Sequence, residues 1–414
     1  MSESFISPDY SSSAGSSFQF LGAKFQSSPG AFNANVAGAF SPQQSVLSYA
    51  NVKELYYSTG GLQLGRKKFD WSLLDDHWHL GFVQPQFRWD PLVPESQGLT
   101  GIFWTIGNDD QTHPMGLRLF VSDLYLPDQG ASYQLQNGSF QSVNPWFQQM
   151  PTQIQFDASG KVVNHLNWDV QIPDTSKVVL RPSAMAQYFY GHEHKDLYAA
   201  ASVGYKPSNQ LLMAVNSGTL PTPQTDVTIV PEVYNHTVGA IDIRQSFQSW
   251  YLGMSALVEN PASPESLPSN LNYRVYNSRQ MYSPTVGIKT SGLEISVSYL
   301  DIEGQSDFVS GPQSQVLAPY LPQQIGFGSA VQLEASYVFG RRFLPGLKLS
   351  STYLQGAQDD FALWNSSARY KISRQWSVDG SVLLVRAAAS SATASLFQQF
   401  QNNDMTTMGV NYAF

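Results

Sequence analysis

The chain has 414 residues, a formal net charge of −8, 13% charged residues against 13% aromatic ones, and no cysteine. A soluble domain carries about 25% charged residues, so this surface is not built mainly to face water. Yet the mean hydropathy is −0.22, and no run approaches the ~18 consecutive apolar residues of a membrane helix. Disulfides, thiolate catalysis and cysteine-based metal sites are excluded, and the negative balance argues against nucleic acid as a partner. Strands with one apolar and one polar face reconcile these facts, because alternation averages to a modest hydropathy.

From the N-terminus, Met1 leads straight into the Ser-rich Ser2 to Ser17, without the basic start and apolar core of a signal peptide. Residues 1–15 read as a polar N-terminal segment and 16–414 as one β-body. If that body is exported, its signal is expected to have been removed and Met1 added or renumbered. Next, Lys53-Glu-Leu-Tyr-Tyr57, Ser58-Thr-Gly-Gly61 and Leu62-Gln-Leu-Gly-Arg-Lys-Lys68 read as strand, short turn and strand. Phe69 to Gly98 follows, with Trp71, Trp78 and Trp89 and the acids Asp70, Asp75, Asp76, Asp90 and Glu95.

This arrangement resembles the strand, turn and Gly-Arg strand that precede the constriction loop of general porins. The resemblance implies that 69–98 folds into a lumen as a constriction or plug, its carboxylates facing basic wall residues across a transverse field. By it, Arg66, Lys67 and Lys68 are wall bases, Asp75, Asp76 and Asp90 are loop acids, and Arg88 belongs to either side. Strict alternation puts Arg66 on the face of Leu62 and Leu64, so a lumenal Arg66 requires a bulge or a strand end. The plainer alternative is a basic strand end followed by a solvated loop with aromatic anchors.

Two histidine pairs, His77-Trp-His79 and His192-Glu-His194, would share a face on strands and suit a divalent metal, but no third ligand can be assigned. Between Asp128 and Gly191 the pattern is weakest. Pro145 and Pro151 interrupt it there, and Asp157-Ala-Ser-Gly160 reads as a tight turn. Beyond it, period-two alternation dominates in runs of about ten residues, the length of a tilted membrane strand. Leu197, Ala199, Ala201, Val203 and Tyr205 share one face. Leu293, Ile295, Val297 and Tyr299 alternate with Glu294, Ser296 and Ser298. Val331, Leu333, Ala335 and Tyr337 alternate with Gln332, Glu334 and Ser336; the runs 347–353 and 376–384 repeat the pattern. Connections at 289–292, 341–346 and 372–374 are tight, while 260–279, 301–326 and 387–403 are long and polar. Asp301, Glu303 and Asp307 lie in such a loop and offer carboxylate oxygens to calcium, without the spacing of an EF-hand. Asp359-Asp360 reads as a charged turn at a strand tip. Tyr299, Tyr337, Tyr353, Tyr370 and Trp376 stand near strand ends, as an interfacial girdle would.

At the C-terminus Met408, Val410, Tyr412 and Phe414 alternate with Thr407, Gly409, Asn411 and Ala413. This segment resembles the terminal strand of Gram-negative outer-membrane β-barrel proteins. The resemblance implies an all-β fold, a transmembrane antiparallel barrel, with Tyr412 and Phe414 as its assembly signal; dividing the length by ~20–25 residues per strand and its share of loop gives about 16–18 strands. The resemblance also implies the lipid bilayer, lipopolysaccharide and the barrel-assembly machinery as partners, and a homotrimer as one assembly state. The leading expectation is a porin-like channel for passive diffusion of small hydrophilic solutes or ions, lined by Gln332, Glu334, Lys348, Ser350, Arg369 and Asp379. The alternatives are a plugged barrel serving as a structural or surface-interaction protein, and a transporter of hydrophobic substrates with an N-terminal hatch. No Gly-x-Ser-x-Gly occurs, and no Ser/His/Asp set stands out by its spacing. The reading therefore implies no enzyme, no cofactor and no metal.

Overall fold

The computed structural model describes residues 2–5 and 17–412, apart from 28–29, 109–113, 148–149, 156–162, 194, 218–223, 263–269, 306, 312–320, 322, 341–345, 358–359, 389–395 and 402. Phe414, His194, the 157–160 turn, Asp359 and most of the 341–346 turn lie outside the described residues. Among those described, nineteen strand segments join one sheet. Ser17–Gln19 and Leu21–Ser27 are two halves of one stave, interrupted only at Phe20, which leaves eighteen staves. Each stave pairs antiparallel with the next, from Leu21–Ser27 with Phe32–Phe40 through to Trp376–Ala387 with Met405–Tyr412. Ser2–Phe5 then pairs on one side with Met405–Tyr412 and on the other with Ser17–Gln19. The ladder so returns to its start, and the fold is an antiparallel β-barrel. One reading from sequence needs amending here: Ser2–Phe5, assigned to the polar N-terminal segment, is a stave of the wall.

The two faces of this wall differ in the sense a membrane requires. Ile102, Trp104, Ile106, Ile241, Ile243, Leu252, Met254, Val258, Val331 and Leu333 point outward and are 40–57% exposed. Soluble monomers rarely expose contiguous apolar patches beyond a few hundred Å², whereas a lipid-facing belt consists of little else. Along these strands the alternate residues point inward, and many are polar: Asp242 and Gln332, and Ser298 between the outward Val297 and Tyr299, are buried. The barrel is thus of the transmembrane type. Its connections also sort by end. Gly60–Gly61, 247–249, 290–292 and 372–375 are short and lie at one end; 125–179, 208–234 and 305–329 are long and lie at the other.

An eighteen-stave wall encloses more space than its own side chains can fill. Residues 69–98 occupy part of it. The strand that leads into them, Leu62–Lys67, has six residues where its neighbour Leu99–Asn108 has ten, so the chain leaves the wall early and turns inward. Trp71 and Phe82 are wholly buried, and Leu74, Trp78, Leu80 and Val83 nearly so. Receiving them is an apolar shelf on the inner wall. Phe103, Phe120 and Met185 are direct cross-strand partners, and the row continues through Gly204 to Val238. Gly204 is required there, because a Cβ would stand 2.5 Å from the Met185 side chain.

The long connections do not stay loops. Val163–Val170, Leu212–Ser217, Gln224–Glu232 and Leu271–Val275 join the short strands Gln153–Gln155 and Phe308–Ser310 in a separate six-stranded sheet. Leu166, Trp168, Val215, Val227 and Ile229 give this sheet its own core, which Phe140 joins. Phe140 comes from a hairpin, Gln134–Gln136 with Ser139–Gln141, whose Asn137-Gly138 turn has φ of +50° and +70°. Those are the angles of a type I′ turn, for which Asn-Gly is the preferred pair.

Candidate functional site

Wall side chains fix the inner segment by bonding its backbone. Gln187 Nε2 donates to the Asp70 carbonyl at 2.7 Å, and Ser202 Oγ to that of Trp71 at 2.6 Å. Asn209 Nδ2 donates to the Gly81 carbonyl at 2.7 Å, and Lys206 Nζ lies 3.4 Å from that of Phe82. A buried carbonyl left unpaired costs about 1–3 kcal/mol, so these donors hold the path of the chain as well as its position. Within the segment, Leu73–Trp78 forms a helix, α1, capped by Ser72, whose hydroxyl accepts from the Asp75 amide. Trp78 Nε1 donates to Ser283 Oγ at 2.8 Å and pins α1 to the strand Arg279–Lys289. His79 ends the helix in a left-handed conformation. The 77–79 pair therefore sits on a helix end, where the two imidazoles do not share a strand face. His192 ends the strand Leu180–His192, which also carries Met185 of the shelf.

The acids predicted for this segment have distinct surroundings. Asp75 is buried and accepts from the amides of Phe82 and Val83 at 2.8 and 2.9 Å. Burial pushes its carboxyl up, while those amides pull it down. Asp76 lies 3.4 Å from Lys68 Nζ; burial pushes its carboxyl up to about 7 against the pull of Lys68. Asp90 accepts from the Leu92 and Val93 amides and so closes its own turn; burial pushes it up to about 7.

The predicted bases are placed as follows. Arg66 stands at the strand end, after Gly65 at φ +128°. It is buried, and donates to the Gly98 carbonyl at 3.0 Å and to Gln97 Oε1 at 2.7 Å. Lys67 Nζ lies 4.5 Å from the ring centres of Tyr56 and Phe69. Arg88 is paired with Asp128 at 2.7 Å and donates to the Leu80 carbonyl. Of the predicted bases and acids, the structure brings Lys68 and Asp76 together as an ion pair. Tyr412 is outward-facing, its ring centre 4.8 Å from that of Trp376.

Charged residues that the sequence reading did not single out hold the long-loop end. His236 Nδ1 lies 2.8 Å from Glu259 Oε1, Arg279 Nε lies 3.3 Å from Glu259 Oε2, and Arg279 also pairs with Asp307 at 2.9 Å. Lys206 Nζ is 3.5 Å from His236 Nε2. The sequence reading put Arg279 and Asp307 in long polar connections, and the approach of these residues to one another depends on the stagger of the strands. Asp307 is thereby committed to an arginine, and Asp301 accepts from Ser329 Oγ. Among the described residues no three His, Asp or Glu side chains converge as a metal site.

Cavities border the segment among the described residues. One of about 540 Å³ is bounded by Gln63, Lys67, Asp70, Arg118, Glu193 and Tyr198. A second, about 360 Å³, lies between α1 and the wall and is bounded by Lys68, Asp76, His77, Arg244, Glu294 and Glu334. Arg244 is held there by Glu193 at 2.8 Å and by the Tyr251 ring 3.7 Å below it. Tyr251 lies flat over Gly287, its cross-strand partner, where any Cβ would collide with the ring. A third, about 140 Å³, is bounded by His79, Arg88, Gln332, Glu334, Thr352 and Asn365. On the same wall runs a row of cross-paired hydroxyls, Ser336, Ser350, Ser367, Ser381 and Thr407. None of these five is buried.

No family model matches the chain, and no curated protein matches it. It is similar to solved outer-membrane structures over nearly its whole length. Pseudomonas aeruginosa OpdO shares 13% identity at a TM-score of 0.49, covering 100% of this chain and 95% of that one. Acinetobacter baumannii OccAB4 shares 10% at 0.48, covering 99% and 95%. The outer membrane protein OprD of Pseudomonas aeruginosa shares 9% at 0.44, covering 99% and 90%.

Proposed function

We propose that this chain is a Gram-negative outer-membrane barrel working as a narrow channel for the passive diffusion of small hydrophilic solutes or ions, with no catalytic step. The observation that carries this reading is the asymmetry of the lumen. The inner segment is packed against the apolar shelf of one wall, while the opposite wall keeps a half-exposed row of hydroxyls with polar cavities beside it. Conduction needs only a wetted path whose lining replaces part of the solute's hydration. On this reading Lys67, Lys68 and Asp76 line the approach to the constriction, whereas Arg66, Asp75 and Asp90 hold the segment in shape. The lipid bilayer and lipopolysaccharide surround the outer face, and the assembly machinery reads Tyr412 and Phe414.

A second reading has an observation of its own. Trp71 and Phe82 are wholly buried, and Trp78 packs toward Phe327 beneath the long connections; such a filling favours a sealed barrel with its working surface outside. Planar-bilayer recording decides between them. Stepwise current from the purified, inserted chain supports the channel, and absence of current from a folded, inserted chain supports the sealed barrel.

A further inference from the structure

Glu334 borders both the cavity beneath α1 and the cavity on the other side of the segment, which among the described residues no other carboxylate does. Its strand, Ala330–Val338, places it between Ser296 and Thr352 as cross-strand partners. Its oxygens are held by neutral donors. Gln332 Nε2 donates to Oε1 at 2.8 Å, and Ser296 Oγ lies 3.5 Å from Oε2. Every cation bordering the two cavities is already engaged elsewhere: Lys68 with Asp76, Arg244 with Glu193, and Arg88 with Asp128. Among the described residues no cation forms an ion pair with Glu334. A carboxylate without an ion-pair partner among the described residues therefore lines both cavities.

We propose that Glu334 is the charge-selecting residue of the constriction, favouring small cations over anions of the same size. The wall supplies this acid, while Lys68, just beyond the end of its strand, and Arg88 of the segment are each paired with a carboxylate of their own. Neutral hydrogen-bond donors orient the carboxylate without cancelling its charge, so a passing cation meets an acceptor that gives up no ion pair. One unit charge within a few ångströms of a hydrated ion shifts its local concentration by about threefold to tenfold in a water-like medium.

This inference rests on the channel reading, and one experiment separates the two. Reversal potentials are measured in a potassium chloride gradient for the wild-type chain and for Glu334→Gln, Glu334→Lys and the outward-facing control Glu303→Gln. The wild type is expected to prefer potassium. Glu334→Gln is expected to lower the potassium-to-chloride permeability ratio by about threefold or more, and Glu334→Lys to invert it, with Glu303→Gln unchanged. Circular dichroism and heat-dependent gel mobility identify variants that fail to fold, and only folded variants are scored. A conducting wild type with an unaltered ratio in folded Glu334→Gln and Glu334→Lys overturns the assignment of Glu334 alone. A folded wild type that carries no current overturns the channel reading and this inference with it.

Discussion

Asp76 is the residue whose ionisation reports most directly on the lumen. Its carboxyl titrates near 7 because burial disfavours the charge more than Lys68 favours it, with Asp75 and Asp70 adding repulsion and Gln84 lying within hydrogen-bond reach. Above that value Asp76 is charged and neutralises Lys68. Below it the acid is neutral and the ammonium is left uncompensated beside the cavity. Cation preference should therefore fall as pH drops from 8 to 6, before any further loss when His77, held below its ordinary value by burial, takes up a proton near Glu334, Arg244 and Glu193. In Asp76→Asn the step near pH 7 should vanish while the lower one persists. An unchanged pH profile in that variant would place the titration elsewhere. Only part of this chemistry was readable beforehand. The Lys68–Asp76 pair joins residues eight apart in sequence, and both were expected in the constriction. Asp90 looked equivalent to Asp76 but bonds its own turn, a local choice that composition cannot distinguish.

At the scale of elements, the segment 69–98 was visible as an aromatic, acidic interruption between two strands. Its inward path follows from the same residues, because Trp71, Leu74, Trp78 and Phe82 have nowhere else to be buried. The helix inside it was not read from sequence, since six residues with two histidines give too short a period to detect. The Asn137-Gly138 pair is a strong hairpin signal, but it lies in a zone whose alternation is interrupted by Pro145 and Pro151. The parallel pairing of Val163–Val170 with Gln224–Glu232 joins two connections far apart in sequence, and no local pattern announces it. Removing residues 70–97 tests the role of the segment. Conductance should rise severalfold with little change in folding if it only narrows the path, and current should appear from none if it seals the barrel. A conductance equal to the wild type would show that the segment controls nothing.

For the whole molecule, alternation together with the aromatic girdle, the unequal connections and the terminal strand was enough to give the class of fold, and chain length an approximate strand number. Alternation also sorted Gln332, Glu334 and Ser350 to the inside, because a residue's face in a strand depends only on parity. Stagger between strands is a different matter. It decides that Phe103 meets Phe120 and Met185, and that Ser336 meets Ser350, and it is fixed by ring closure rather than by any one strand. The asymmetric lumen, apolar on one wall and hydroxylated on the other, is a product of that register.

In a channel of this kind one face of each stave meets lipid and the other meets an aqueous lumen. Because the chain lacks cysteine, single cysteines placed from Val331 to Tyr337 in turn can be read without background. Reconstituted in bilayers, positions 332, 334 and 336 should react with a membrane-impermeant thiol reagent, while 331, 333, 335 and 337 should resist it and respond to a lipid-dissolved quencher once labelled. Uniform reactivity along the strand, or protection of the odd positions without contact with lipid, would contradict the account.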